Sequence, residues 1–312
     1  MKNKVLSMLV LLAAVATGAV AQTTYKVSVK EGTEDATNWT ITPAEATTTG
    51  VAASTTVTAT YSGTKKVKSV KAVKKAAAAT TLNNTIKAWT AGTYAVPAGG
   101  LTYSDAITVS GDVTLTLTDG ETLTLNKGIS LAEGATLTVE GNGAMNINGT
   151  NNSTASTVAG TGMLVLTSGT LNAKGGDGGN AENGSTSGGG NAINGAVTVS
   201  GGTLTATGGN GGSDIDSDGG SGHRGDGAAA ISGDVIITAG IVTAKGGNGG
   251  SIPNDSAADA GAGGNAINGN VTLSGGTLTK TDGNSGTKGE DTADGSAGAG
   301  GKAVAGTVTD NR

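Results

Sequence analysis

From Ile107 to Ile147, apolar residues alternate with Thr, Ser or Asn at a period of two. That is the pattern of strands with one buried face. It predicts short strands at 107–109, 113–117, 122–125, 129–131, 136–139 and 145–147. Asp119-Gly120, Lys127-Gly128, Glu133-Gly134 and Gly141-Asn142-Gly143 separate them as turn signals at short, even spacing. The alternation returns further on as a repeat. Gly169-Thr170-Leu171, Gly202-Thr203-Leu204, Gly240-Ile241-Val242 and Gly276-Thr277-Leu278 correspond, at spacings of 33, 38 and 36 residues. A fifth copy begins at Ala303-Val304-Ala305-Gly306-Thr307-Val308 and stops at Arg312 in mid-unit, which predicts that the sequence is a fragment or lacks a C-terminal repeat and surface-attachment signal.

A fixed-period repeat of this size signals a stacked array. Each unit offers only a few inward residues, such as Val197, Val199 and Leu204, too few to form a core alone. Stacking equivalent strands about 4.8 Å apart makes one continuous core. The expected fold is mainly β, a parallel β-solenoid read as a right-handed β-helix. Glycine-rich connectors absorb the variation in repeat length, as in residues 208–227. A buried Val, Leu or Ile contributes roughly 1.5–3 kcal/mol. Fixing one backbone residue costs about 1–2 kcal/mol, most for glycine. Apolar burial therefore does not order the connectors. Two arrangements stay open: mobile connectors, or a polyproline-II-like layer with close backbone contacts.

The chain starts Met1-Lys2-Asn3-Lys4, continues with an apolar run from Val5 to Ala16, and reaches Ala19-Val20-Ala21 before Gln22. A basic start, a short apolar region and an A-x-A site predict a Sec-type signal peptide over 1–21. No later segment is long and apolar enough to cross a bilayer as a helix. The absence of Cys removes disulfides, thiol catalysis and Cys-held metals. Residues 22–78 carry four strand-like runs and are expected to form a small β-sandwich-like module. Residues 79–99, with Trp89, Tyr94 and Pro97, read as a linker and solenoid cap, residues 100–157 as regular β-solenoid, and residues 158–312 as its Gly-rich repeats.

Charge separates these parts. Residues 22–80 hold eight Lys against four acidic residues, and residues 81–312 hold nine Lys or Arg against twenty acidic residues. The lysines from Lys65 to Lys75 suit a solvated edge strand that deters pairing, and no aromatic interleaving points to nucleic acid.

The Val-Thr-Val-Ser-Gly-Gly-Thr-Leu-Thr motifs and the Gly-Gly-Asn-Gly-Gly runs resemble the Gly-rich β-solenoid repeats of secreted bacterial adhesin-like proteins. Those repeats are similar in fold to pectin-lyase-type β-helices, some of which process polysaccharides. The last strand of the 22–78 module looks like the closing strand of Ig-like repeats in secreted bacterial proteins. The resemblance implies an exported protein at the cell surface or outside a bacterium.

Candidate chemistry is sparse. His223 is the one His and lies in a connector, so a Ser-His-Asp triad is not expected. A glycosidase-type carboxylate pair would come from Asp105, Asp112, Asp119, Glu121, Glu133 or Glu140, but most of these sit at turns or strand edges. Asp214, Asp216 and Asp218 match the opening of an EF-hand loop, while the bidentate Glu expected further on is replaced by Gly225. They form a calcium candidate, and no other cofactor is expected. Trp89, Tyr94 and Tyr103 are read either as an end cap or as glycan-contact rings. Paired threonines such as Thr114/Thr116, Thr122/Thr124 and Thr205/Thr207 suggest a hydroxyl array of the kind found on ice-binding solenoids. Asp255-Ser256-Ala257 and Asp291-Thr292-Ala293 resemble an O-glycosylation acceptor of exported proteins in gut-type Gram-negative bacteria, making Ser256 and Thr292 candidates. The expected role is a non-enzymatic, adhesin-like surface protein whose partners are glycans or host-surface molecules. The alternatives are a carbohydrate-binding or carbohydrate-processing β-helix and a structural stalk.

Overall fold

The computed structural model divides into two units, Met1–Ala78 and Ala79–Arg312. It describes residues 79–182, 186–214, 223–252, 259–288 and 296–312, and within the first unit the backbone of seven strands. No helix occurs among the described residues.

The first unit contains two antiparallel sheets. Ala53–Tyr61 lies between Lys4–Leu12 and Trp39–Thr42, and Thr23–Glu31 pairs with Glu34–Asp35, Glu45–Thr48 and Ser69–Lys74. Part of the segment read as a signal peptide, Lys4–Leu12, is thus a strand here.

The second unit is a 16-stranded, curled parallel sheet, consistent with a solenoid-like fold. Its register resolves into three rows of stacked strands. Row one runs through 107–109, 129–131 and 158–160, then shrinks to single bridging residues, Ile193, Ile231, Ile267 and Val304. Row two stacks 92–95, 112–117, 136–141, 163–166, 197–199, 235–237, 271–273 and 308–310, while 88–90 of the first of these strands pairs with 108–110 at the start of row one. Row three stacks 101–103, 122–125, 144–148, 170–174, 203–207, 241–245 and 277–281. Inward positions of all three rows form one apolar core, and Ile107, Leu115, Leu123, Leu137, Leu171 and Leu204 are fully buried in it.

The period-two alternation follows from this arrangement. In Val197–Thr207, Val197, Val199, Leu204 and Ala206 point inward while Thr198, Thr203 and Thr205 do not. The turn from row two to row three needs a left-handed residue. Gly169, Gly202, Gly240 and Gly276 supply it, with φ of 79°, 72°, 83° and 70°. The core also narrows along the chain. One inward column of row three reads Tyr103, Leu125, Ile147, Ala173, Ala206, Ala244.

All the long connectors leave from one corner, between row three and row one of the next layer. That corner spans 126–128 in an early layer, 149–157 in the next, and 175–192 after that. The described connector residues are packed in hydrogen-bonded layers, so of the two arrangements left open by the sequence they show the close-contact one. Each connector has an outgoing run and a return run, and the bonding repeats every three residues. Gly208 and Gly211 donate their N–H to Lys245 and Asn248 of the next outgoing run, at 2.8 Å each. Gly209 and Gly212 donate to Gly190 and Ser187 of a return run, at 3.0 and 2.9 Å. Asn210 donates to the Asp177 Oδ1 of the preceding layer, at 2.9 Å. Three residues per turn is the polyproline-II period, and every N–H of this outgoing run has a partner, as buried backbone requires. Glycine is needed here for proximity: a Cβ on Gly209 would lie 1.9 Å from the Gly176 carbonyl oxygen.

Candidate functional surface

The residues singled out in the sequence occupy three environments. Trp89, Tyr94 and Tyr103 form the terminal layer of the core, with exposures of 0, 8 and 1 %. The Trp89 and Tyr94 rings stack with centroids 6.0 Å apart, and Tyr103 meets Trp89 edge-on at 6.3 Å. Their polar atoms point back into the chain. Tyr103 Oη donates to the Asn83 carbonyl at 2.8 Å, and Trp89 Nε1 donates to that of Ile86 at 3.3 Å. Burial pushes the Tyr103 hydroxyl above its ordinary pKa, against the smaller lowering effect of Trp89. A sugar platform needs exposed ring faces. These faces are packed, which corrects the glycan-contact reading of the trio: the rings serve the core.

Asp214 sits inside a connector, its carboxylate bonded to the guanidinium of the fully buried Arg224. A buried carboxylate held by a resident cation is poorly placed to open a calcium loop. Asp216 and Asp218 lie outside the described residues, as do Ser256 and Thr292. Among the described residues no group of three or more His, Asp or Glu gathers in a way that would hold a metal. The layer above the Asp214–Arg224 pair places Ile252 and Ala260 at the equivalent positions, both buried, as a small apolar cluster. The sequence reading missed this ion pair. The only available signal was the lone Arg in a run of glycines.

The carboxylates proposed for catalysis are spread over the outside. Asp105 is half-exposed and bonded to Lys87, whose ammonium holds its carboxyl below the usual range. Glu140 accepts a bond from Thr116 Oγ1 at 3.2 Å across row two. His223 lies 3.3 Å from Asp226 on an exposed part of a connector.

The most regular polar surface is the outer side of row three. Alternate residues of each strand face out there, and the parallel register stacks them in columns. One column runs Thr124, Asn146, Asn172, Thr205, Thr243 and Thr279. Its amides are linked, with Asn172 Nδ2 donating to Asn146 Oδ1 at 2.9 Å. In the neighbouring column Asn148 Nδ2 donates to Asn126 Oδ1 at 3.3 Å. Lys174, on the same edge, pairs with Asp177 at 3.2 Å. A shallow groove of about 380 Å³ lies over Thr124, Asn146, Asn148, Asn172, Lys174, Thr205 and Thr207. The Thr pairs drew attention in the sequence, but the Asn residues between them did not. Their signal was the shared outward phase of Asn146 and Asn148 with Asn172. A second opening of about 320 Å³ is lined mostly by the backbone of the return runs, with Asn191, Asp226, Asn265 and Asn268 at its edges. No family model, curated protein or solved structure matches this chain.

Proposed function

We propose that the protein is exported and works as a display scaffold: a right-handed parallel β-solenoid, preceded by a small β-sandwich-like module, that presents a repetitive polar face to glycans or to surface molecules of other cells. The observation that carries this reading is the outer side of row three. Its hydroxyl and amide columns repeat in register from layer to layer. A surface built by repetition suits a partner that is itself repetitive, because each added layer adds an equivalent contact and avidity grows with their number. Export is supported by the basic start, the apolar run and the Ala19-Val20-Ala21 site. On this reading, cleavage before Gln22 removes the strand Lys4–Leu12 and leaves Ala53–Tyr61 paired with Trp39–Thr42.

The stalk reading has its own support. The described connector residues bond their backbone within and between layers, as a rigid spacer would require. One experiment separates the readings. The full chain is expressed in a Gram-negative host, its mature N-terminus is sequenced, and intact cells are treated with protease and tested for adhesion to glycan-coated surfaces. A mature chain that starts at Gln22, is cut on intact cells and confers adhesion supports display. A chain that is uncleaved and protected inside the cell overturns it. Surface exposure without any gain in adhesion favours the stalk.

A further inference from the structure

We infer that the groove on the outer side of row three, centred on Asn146 and Asn172, binds a neutral, linear polysaccharide lying along the stack and across the strands. This rests on the display reading and gives that face a ligand class.

The first argument is chemical. A sugar hydroxyl both donates and accepts, and so do an amide and a threonine hydroxyl. The Asn172–Asn146 bond uses one hydrogen-bonding position on each side chain and fixes both amides. The remaining positions stay available toward the groove, and the fixed orientation reduces the ordering cost of binding. Thr124 and Thr205 extend the same column on either side.

The second argument is spacing. Successive layers lie about 4.8 Å apart, close to the length of one pyranose ring in an extended chain. Each ring of a linear polymer therefore meets one layer, and the contact repeats. Ile241, one layer beyond Thr203 on this face and 48 % exposed, offers an aliphatic surface to the C–H face of a ring.

The third argument is charge. Residues 81–312 carry nine Lys or Arg against twenty acidic residues, and Lys174 at the groove is already paired with Asp177. Lys245 lies one layer beyond Thr207 at the end of the groove, but no carboxylate or sulfate would find a second free cation among the groove's own lining residues, and the net acidic unit around it disfavours a polyanion. A neutral polymer is not disfavoured in this way.

The test is affinity electrophoresis of the full chain through gels containing hydroxyethylcellulose, xylan, mannan or soluble starch, with polygalacturonate as the acidic comparison. Two double variants accompany the wild type, Asn146→Ala with Asn172→Ala, and Thr114→Ala with Thr116→Ala on row two. All four positions face outward on strands, and thermal melts confirm that both variants fold. The expected result is retardation by at least one neutral polymer, about tenfold weaker in the Asn variant and unchanged in the Thr variant. Retardation only by polygalacturonate, equal retardation of the Asn variant and wild type, or no retardation in any gel overturns the inference. So does inhibition of ice recrystallisation without glycan binding. A chain that reaches the cell surface but fails here loses only its glycan site. A chain that binds glycan but stays in the cytoplasm loses the display reading instead.

Discussion

Residues 203–207 and residues 208–212 follow one another in the same layer and bury their backbones in opposite ways. In the strand, Leu204 and Ala206 turn inward and apolar side chains fill the space between rows. Across 208–212 no side chain fills that space, since the one residue there other than glycine, Asn210, is exposed. Gly209 lies so close to Gly176 that a Cβ would sit 1.9 Å from its carbonyl oxygen. The strand is held by side-chain burial plus its ladder, the connector by its hydrogen bonds and close backbone packing. An order based on glycine therefore does not require floppiness, provided every N–H finds a partner within the layer or in a neighbouring one.

The sharpest way to break the comparison is at the connector layer that holds a buried ion pair. Asp214→Ala leaves Arg224 buried without that carboxylate, and a loss of about 3–5 kcal/mol is expected from denaturant melts. The double change Asp214→Ile with Arg224→Ala copies the Ile252 and Ala260 layer above. It should return stability close to wild type, since a buried ion pair replaced by packed apolar groups is often neutral or better.

A matched pair of variants then weighs strand against connector. Leu204→Ala opens a cavity between Leu171 and Val242 and should cost about 2–5 kcal/mol. Gly247→Ala pushes a methyl against the Gly209 carbonyl oxygen, 1.9 Å away, and should cost about 1–3 kcal/mol. Gly300→Ala, with nothing within 4 Å, should stay within about 0.5 kcal/mol. If Gly247→Ala proves as harmless as Gly300→Ala, the connectors are not packed as described.

A smaller effect is expected at the connector asparagines. Asn248 Oδ1 accepts the Asn284 N–H at 3.0 Å. Asn248→Ala should accelerate hydrogen exchange at Asn284 about fivefold, with little change in global melting.

The smallest effect is pH-dependent. Asp259 Oδ1 accepts the Ser296 N–H at 2.8 Å, and that bond holds its carboxyl below the ordinary 3.8. The folded state therefore favours the ionised form. Its stabilising contribution is present above the ordinary value and is lost as pH falls through the folded one. Asp259→Asn keeps an acceptor oxygen and removes the titration. Melting temperatures from about pH 2 to 6 should fall less steeply for the variant than for wild type.

The strand half of this comparison was legible in the sequence because alternation at period two reports directly on which side chains are buried. Val197, Val199 and Leu204 could be read as inward without coordinates. The connector half was legible only in outline. Weighing apolar burial against backbone entropy left residues 208–227 undecided, because the deciding contribution is hydrogen bonding to layers 33 and 38 residues away in sequence. The Asn in Gly-Gly-Asn-Gly-Gly had a reason that no local pattern shows. At that position the chain turns its N–H to the preceding layer, and the residue's own side chain accepts from the next. The choice between end cap and glycan contacts for the aromatic residues stayed open in the sequence for a related reason. Trp89 and Tyr103 precede the repeats in sequence, but only stacking places them across the end of the core.

The side-chain bonds of the connectors also have a direction, opposite to that of the backbone bonds from Gly208 and Gly211. Asp177 accepts from Asn210, Asn210 from Asn248, and Asn248 from Asn284. In each case the acceptor side chain belongs to the layer made earlier and the donor to the layer made later. A chain emerging N-terminus first thus meets a finished edge whose acceptors are already in place, and each completed layer becomes the mould for the one that follows. The pattern for each layer is thus carried by the side chains of the layer before it, much as a row of type is set against the row already locked in place.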